Sequence, residues 1–517
     1  MALQMVEGSF PLLSLLVAWP AVGALLIWWV PGLREYGRQV AFAISIIEGA
    51  LILLAALLFD WSKASVFQLG DSAPWIAPLG VSWSLAVNGL GMVMLLLTAL
   101  LVPIVIFATP EGRTKRLRKS EGTYAILILV LYAFIVIIFA AFDVVVFYLA
   151  FEAMLVPLFF MIGRFGIGED RRKAAMKFLI YSLVGGLAML GGLVTIFAQS
   201  QGGVDPLLFR YDNVAKLLST GSFGVQMAVF ITFFIAFAIK APMVPVHTWL
   251  PDTAAAARPG TSVLLVGILD KIGTFGMIIL CLTFVPEAAY AARWTIIVLA
   301  VISILWGGFA ANGQKDLLRL VSFTSVSHFG FIVLGIFIGS QVALTGAMVF
   351  MVAHGLSIAA MFLISGFLIE GGGSQKIAHY GGLQRVTPVL AGTWLFAGLA
   401  SMSLPGLSGF VPEYLVLMGT YSVNPAVALF SVLGVVLAAM YILMPYQRMF
   451  TGPVKQDLQE IPDLDATQKW AIAPLLVGML VLGLWAAPLV GSMDQVSEFN
   501  TEPYVSYSHA GTVDEGN

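Results

Sequence analysis

Six titratable side chains stand in six long apolar stretches: Glu152, Lys240, Lys271, His328, His354 and Glu413. Two carboxylates, two amines and two imidazoles are the chemistry of proton transfer. Burial favours the neutral amine, a neighbouring carboxylate favours the ammonium, and imidazole titrates near neutral pH. Opening or closing a Glu152–Lys240 pair would therefore make Lys240 hold or release a proton. Three further groups are secondary. His247 follows Lys240 closely, Glu48 is alone in its stretch, and Asp270 adjoins Lys271, so it points about 100° away around a helix.

Each group taken alone has a plainer reading. A buried Lys or Glu can be half of an ion pair that fixes helix packing, and a lone His can be a hydrogen-bonded packing residue. Asp270 can be a polar packing residue or a partner for another helix. Glu48 suits a structural role facing a neighbouring subunit or a lipid headgroup. The series argues differently from its members, because six groups on six apolar segments form the stations of a path.

The elements that carry them are membrane spans. The chain has 517 residues, of which 60% are hydrophobic and 10% charged, and its mean hydropathy is +0.96. A soluble domain carries about 25% charge, so an ordinary wet surface is excluded. Lys and Arg (26) nearly balance Asp and Glu (28), which excludes a basic nucleic-acid binder. The single Cys281 excludes a disulfide framework, a cysteine-ligated iron–sulfur cluster and c-type haem attachment. No Walker A, GxGxxG or HExxH pattern occurs, and Gly371-Gly372-Gly373 reads as a helix-ending loop.

At about 20 apolar residues per crossing, fourteen spans are expected: 10–31, 39–59, 85–107, 123–141, 143–163, 176–198, 222–245, 261–284, 294–310, 317–339, 343–369, 389–421, 425–447 and 470–490. The first is not a cleaved signal peptide, because no basic residue precedes Arg34. The segment Val66–Trp83 reads as a surface hairpin or an amphipathic stretch.

With the N-terminus outside, the inside loops hold Arg34, Arg38, Arg113, Lys115, Arg116, Arg118, Lys119, Arg164, Arg171, Arg172, Lys173, Lys177, Arg258, Lys315, Arg319, Lys376, Arg385, Arg448, Lys455 and Lys469. The outside loops hold only Lys63, Arg210, Lys216 and Arg293. Basic residues stay cytoplasmic in short loops, so the asymmetry fixes the expected orientation. The acidic tail, with Asp494, Glu498, Glu502, Asp514 and Glu515, then lies outside with the C-terminus.

Two spans should be broken. Pro242 and Pro245 follow Lys240, and Pro405, Gly406, Gly409 and Pro412 precede Glu413. Irregular backbone at membrane depth is tolerated only where it is buried or lines a wet cavity. Breaks at matching places in two halves point to inverted repeats. The seventh and twelfth spans are five apart, so the expected organisation is 1–122 (spans 1–3), 123–284 and 285–447 (two antiparallel five-span repeats), and 448–517 (span 14 and the acidic tail). Moving one charge across the membrane is worth about 2.3 kcal/mol per 100 mV, comparable with about two pKa units.

The runs Lys240-Ala241-Pro242 to His247-Thr248-Trp249-Leu250-Pro251-Asp252, Pro259-Gly260-Thr261-Ser262-Val263-Leu264 to Lys271-Ile272-Gly273, and His354-Gly355-Leu356-Ser357 resemble the proton-pumping antiporter-like subunits of respiratory complex I. The resemblance covers nearly the whole chain. Within that family Glu413 resembles the M type, where the L and N types and the Mrp sodium/proton antiporter subunits usually carry Lys. The L type also has a long C-terminal lateral helix, whereas this chain stops shortly after span 14.

The resemblance implies an all-α polytopic subunit of a bacterial NADH:quinone oxidoreductase in the inner (plasma) membrane, beside L-type and N-type neighbours. It implies that flavin, iron–sulfur clusters and quinone belong to partner subunits, with no cofactor or metal in this chain. Glu152 would partner Lys240, with Lys271, His328 and His354 along a central axis and Glu413 toward the periplasmic exit. Three features depart from the family pattern: Ala254–Ala257 stand where a second His is usual, Asn88 stands where Asp is common, and Asp270 replaces an apolar residue. The competing expectations are an Mrp-type cation/proton antiporter subunit and a purely structural anchor whose charges only pair helices.

Overall fold

The computed structural model describes residues 3–110, 114–200 and 205–510. Arg113, Asp514 and Glu515 lie outside the described residues. Thirteen of the described helices are long and apolar enough to cross a bilayer, from Leu12–Trp29 to Ala466–Leu484. Two shorter helices, Pro388–Ser401 and Phe410–Val423, stand where the twelfth span is expected.

The helices are sorted by enclosure. Over an apolar 18-residue stretch of each span, the eighth, Pro259–Leu282, is wholly buried and the tenth, Leu317–Phe337, and eleventh, Gln341–Gly372, are 94% buried, against 39% for Leu12–Trp29 and 28% for Ala466–Leu484. Apolar side chains coat the outer helices, with Leu57, Leu187, Trp306 and Leu429 all exposed. In hydrocarbon such exposure costs nothing. Lys271, His328 and His354 belong to the three enclosed spans, so they lie on the inner axis and away from the lipid-facing surface.

Two features add to the helical frame. β1 (Met5–Glu7), β2 (Phe67–Ile76) and β3 (Val81–Val87) form a small sheet in which β2 and β3 make an antiparallel hairpin, one of the two readings open for Val66–Trp83. The hairpin is tied to the fifth span, Val144–Gly163, by Asp143. Its carboxylate accepts from the backbone N–H groups of Ser82 (2.9 Å), Val145 (2.9 Å) and Val146 (3.2 Å), capping the span's first turn. Asn88 does the same for the helix Gly89–Ala108, accepting from the Gly91 N–H at 2.9 Å.

The acidic tail is a second departure. Ala487–Ala510 form a 24-residue helix in place of a bare extension, and Met493, Val496, Ser497 and Tyr504 are buried along it. Tyr504 donates to the Phe337 carbonyl at 2.7 Å. One apolar stripe among acidic residues suffices to dock it, and that stripe was obscured in the sequence by the charge around it.

Loops assigned to one side of the membrane meet one another. Glu35 pairs with Lys115 (3.0 Å) and Lys119 (3.6 Å), and Glu121 with Arg258 (2.8 Å). Asp252 pairs with Lys177 (2.6 Å) and with Arg319. All these basic residues come from loops expected inside.

Candidate functional site

The seventh span, Phe223–Lys240, stops at Lys240. Pro242 and Pro245 cannot donate, and Ala241–Thr248 run without regular helix before a short helix at Trp249–Ala256. Side chains hold this break. Trp249 donates to the Ile239 carbonyl at 2.9 Å, Ser303 accepts from the Val244 N–H at 3.0 Å, and Trp306 donates to His247 Nε2 at 3.2 Å. Irregular backbone at this depth is thus satisfied by neighbouring spans.

Beyond the break, Lys177 donates to the Thr248 carbonyl (2.8 Å) and to Asp252 (2.6 Å), and Arg319 donates to the same carboxylate. Burial pushes the Asp252 carboxyl up, but its hydrogen bonds and charge contacts with Lys177 and Arg319 outweigh this and hold it below its ordinary value. The Asp252 carboxylate therefore stays ionised through the neutral range. It lines an open cavity of about 610 Å³ together with Lys173, Ala255 and Gln375.

Lys240 is 1% exposed, and its Nζ has no hydrogen-bond partner; it lies 5.4 Å from the centroid of the Phe178 ring. Glu152 is half-buried, one of its oxygens also lacks a partner, and no ion pair joins it to Lys240 among the described residues. The pair is open in this structure. Between the two runs the sixth span, Arg171–Gln199, at its glycine pair. A Cβ on Gly186 would stand 1.8 Å from Glu152 Oε1, and one on Gly185 would stand 3.3 Å from Ala236 Cα. The missing side chain makes room for the carboxylate.

Lys271, His354 and His328 are brought together as expected. The eighth span is π-helical over Leu265–Leu269 and Met277–Leu282, with Asp270 N–H donating to the Leu265 carbonyl five residues back at 2.9 Å. Such widened turns recur at functional positions. Lys271 Nζ bonds the Val266 carbonyl (2.6 Å) and His354 Nδ1 (2.7 Å). His354 Nε2 bonds Ser325 Oγ (3.2 Å), its ring lies 5.2 Å from that of His328, and His328 Nε2 bonds the Tyr441 hydroxyl (3.2 Å). All these side chains are buried.

Glu413 opens the helix Phe410–Val423 and is buried. Ser403, in the left-handed region (φ 61°), donates its hydroxyl to Glu413. Sequence reading missed Ser325, Ser403, Tyr441 and Gly186. Ser325 had a signal, standing three residues before His328 on one helical face; the other three had none. Glu48 corrects an expectation: it is fully buried within the chain, not turned to a neighbour or a headgroup, and neither carboxylate oxygen has a partner. Asp270 is likewise buried and unpartnered, and His247 lies on the break with Nδ1 unpartnered.

Gly186→Ala is expected to displace the Glu152 carboxylate and lower proton pumping several-fold with the fold kept, since the clashing atom ends a flexible side chain. Gly191→Ala, whose Cβ would meet nothing nearer than 3.8 Å, is the control. Equal pumping by the two variants in membrane vesicles would refute the assignment of Gly186.

The chain is similar to proteins of known family. A family model described as "NADH:quinone oxidoreductase/Mrp antiporter, TM" matches residues 141–440. NADH-quinone oxidoreductase subunit M of Mycobacterium tuberculosis is 39% identical, over 95% of this chain and 94% of that protein. Subunit M of Escherichia coli is 33% identical, over 93% of this chain and 95% of the other. A chain of respiratory complex I from Thermus thermophilus superposes with a TM-score of 0.83 at 30% identity, covering 95% of this chain and 99% of that one. A chain of the Mrp complex from Dietzia sp. has the same TM-score at 20% identity, covering 96% and 98%, which is a likeness of fold. By the extent of the family match and these identities, the chain belongs to the NADH:quinone oxidoreductase/Mrp antiporter membrane family.

Proposed function

We propose that this chain is the M-type membrane subunit of a bacterial NADH:quinone oxidoreductase and carries protons across the inner membrane, coupled to electron transfer in other subunits. The observation that carries the reading is the buried run of bonded titratable groups, Lys271–His354–Ser325 and His328–Tyr441, on the most enclosed helices of a chain whose relatives are subunit M proteins. Lipid-facing anchors do not need such a run, and buried ionisable groups in a span are functional by default.

In this reading Lys240 and Glu152 load protons at the seventh-span break, the Lys271–His354–His328 run carries them along the axis, and Glu413 with Ser403 releases them. Pro388–Ser401 and Phe410–Val423 are the halves of one broken twelfth span, which makes fourteen spans with repeats over 123–284 and 285–447. The basic-residue asymmetry puts both termini on the periplasmic side. The neighbours are L-type and N-type subunits, and flavin, iron–sulfur clusters and quinone are carried by other chains.

The test is purification of the native assembly through a tag on this chain. Flavin and iron–sulfur subunits are expected to co-purify, and reconstituted vesicles are expected to acidify on adding NADH and a quinone. An assembly without redox subunits, whose vesicles exchange protons for sodium, would establish the Mrp-type function instead.

A further inference from the structure

Among the described residues, Asp270 is a buried carboxylate of the inner axis that the path above leaves idle. It is fully buried, and both of its oxygens lack hydrogen-bond partners. A carboxylate retained only to pin helices together would be expected to meet a donor.

Its place in the fold is between the two buried amines. Lys271 turns to the eleventh span, where it meets His354. Asp270, one residue earlier, turns about 100° away. Gly273 shares the face of Asp270 one turn on, and there the eighth span presses on the seventh. A Cβ on Gly273 would stand 2.6 Å from both the Ala241 N and the Phe237 carbonyl oxygen. That contact brackets Lys240. Asp270, on that face, thus faces the end of the seventh span, where Lys240 stands.

We propose that Asp270 is a proton-carrying station that passes protons between Lys240 and Lys271, joining the loading side of the path to the histidine run. This rests on the proton-path reading above. An ammonium proton leaves Lys240 Nζ for an Asp270 oxygen, giving a neutral amine and a neutral carboxylic acid. The acid then gives that proton to the neutral amine of Lys271 and returns to carboxylate. Each transfer cancels or recreates one ion pair, so no isolated charge is left in the low-dielectric interior. Carboxyl torsion supplies the movement, and the unpartnered oxygens leave it free to turn.

The test compares Asp270→Asn, which keeps the shape but cannot titrate, with Asp270→Glu in the whole assembly. Asp270→Asn is expected to lose most NADH-driven vesicle acidification while the assembly forms, and Asp270→Glu to restore it. Infrared difference spectra between protonation states are expected to show a carboxylic-acid C=O band in the parent that shifts in Asp270→Glu. Normal acidification by Asp270→Asn would overturn the proposal. If Asp270→Asn fails to assemble, an unshifted band in Asp270→Glu would overturn it equally. Lys240→Ala separates the two readings: if it too pumps normally the proton path itself falls, whereas a dead Lys240→Ala beside a normal Asp270→Asn removes only Asp270.

Discussion

Lys240→Ala is expected to abolish NADH-driven proton pumping and to lower coupled NADH-to-quinone turnover strongly. The Nζ is buried without a hydrogen-bond partner at the point where the seventh span stops. Lys240 is the last residue of that helix, and the neighbouring Phe178 ring offers a face and no acceptor.

Removing one partner of a buried charge set costs about 3–5 kcal/mol when the others stay ionised. Glu152 and Asp270 can instead take up protons, so the variant is expected to assemble. The measurement is dye-reported acidification in inverted vesicles beside NADH oxidation in the same preparation. A companion, Glu152→Leu with Lys240→Met, removes both charges and keeps volume. A purely structural anchor tolerates that pair and leaves pumping intact; the proton path predicts an assembled but silent complex.

Lys271→Arg is expected to stop pumping nearly as completely as Lys271→Met. Both preserve bulk at a fully buried site, but arginine stays charged in proteins and cannot hand on a proton. Lys271 Nζ bonds His354 Nδ1 at 2.7 Å and the Val266 carbonyl at 2.6 Å. A guanidinium could keep one such bond and its positive charge, so a structural role for Lys271 predicts rescue by Arg. Transport lost in both variants, with the subunit present in the membrane, supports proton hand-off; normal acidification by Lys271→Arg refutes it. The His354–Ser325 and His328–Tyr441 bonds lie beyond Lys271 and are expected to survive either change.

The amino-acid order alone determined a good deal. A chain 10% charged that must cross hydrocarbon leaves its few buried titratable groups conspicuous, and Glu152, Lys240, Lys271, His328, His354 and Glu413 were legible on that ground. The prolines after Lys240 marked the break found there, because a residue without an N–H interrupts a helix wherever it packs. A hairpin near Gly70 was one of two readings that the local turn residues allowed.

What neighbours what was decided only by the tertiary structure. In a membrane the helix face turned to lipid is as apolar as the face turned inward, so hydropathy cannot say which way Glu48 or Asp270 points. Helix packing turned both inward, and it set Gly186 against Glu152 and Tyr441 against His328. The sequence names the groups able to carry protons. Their order of contact comes from spans far apart in the chain, because packing decides which groups stand near enough to exchange a proton through a hydrogen bond or a side-chain movement.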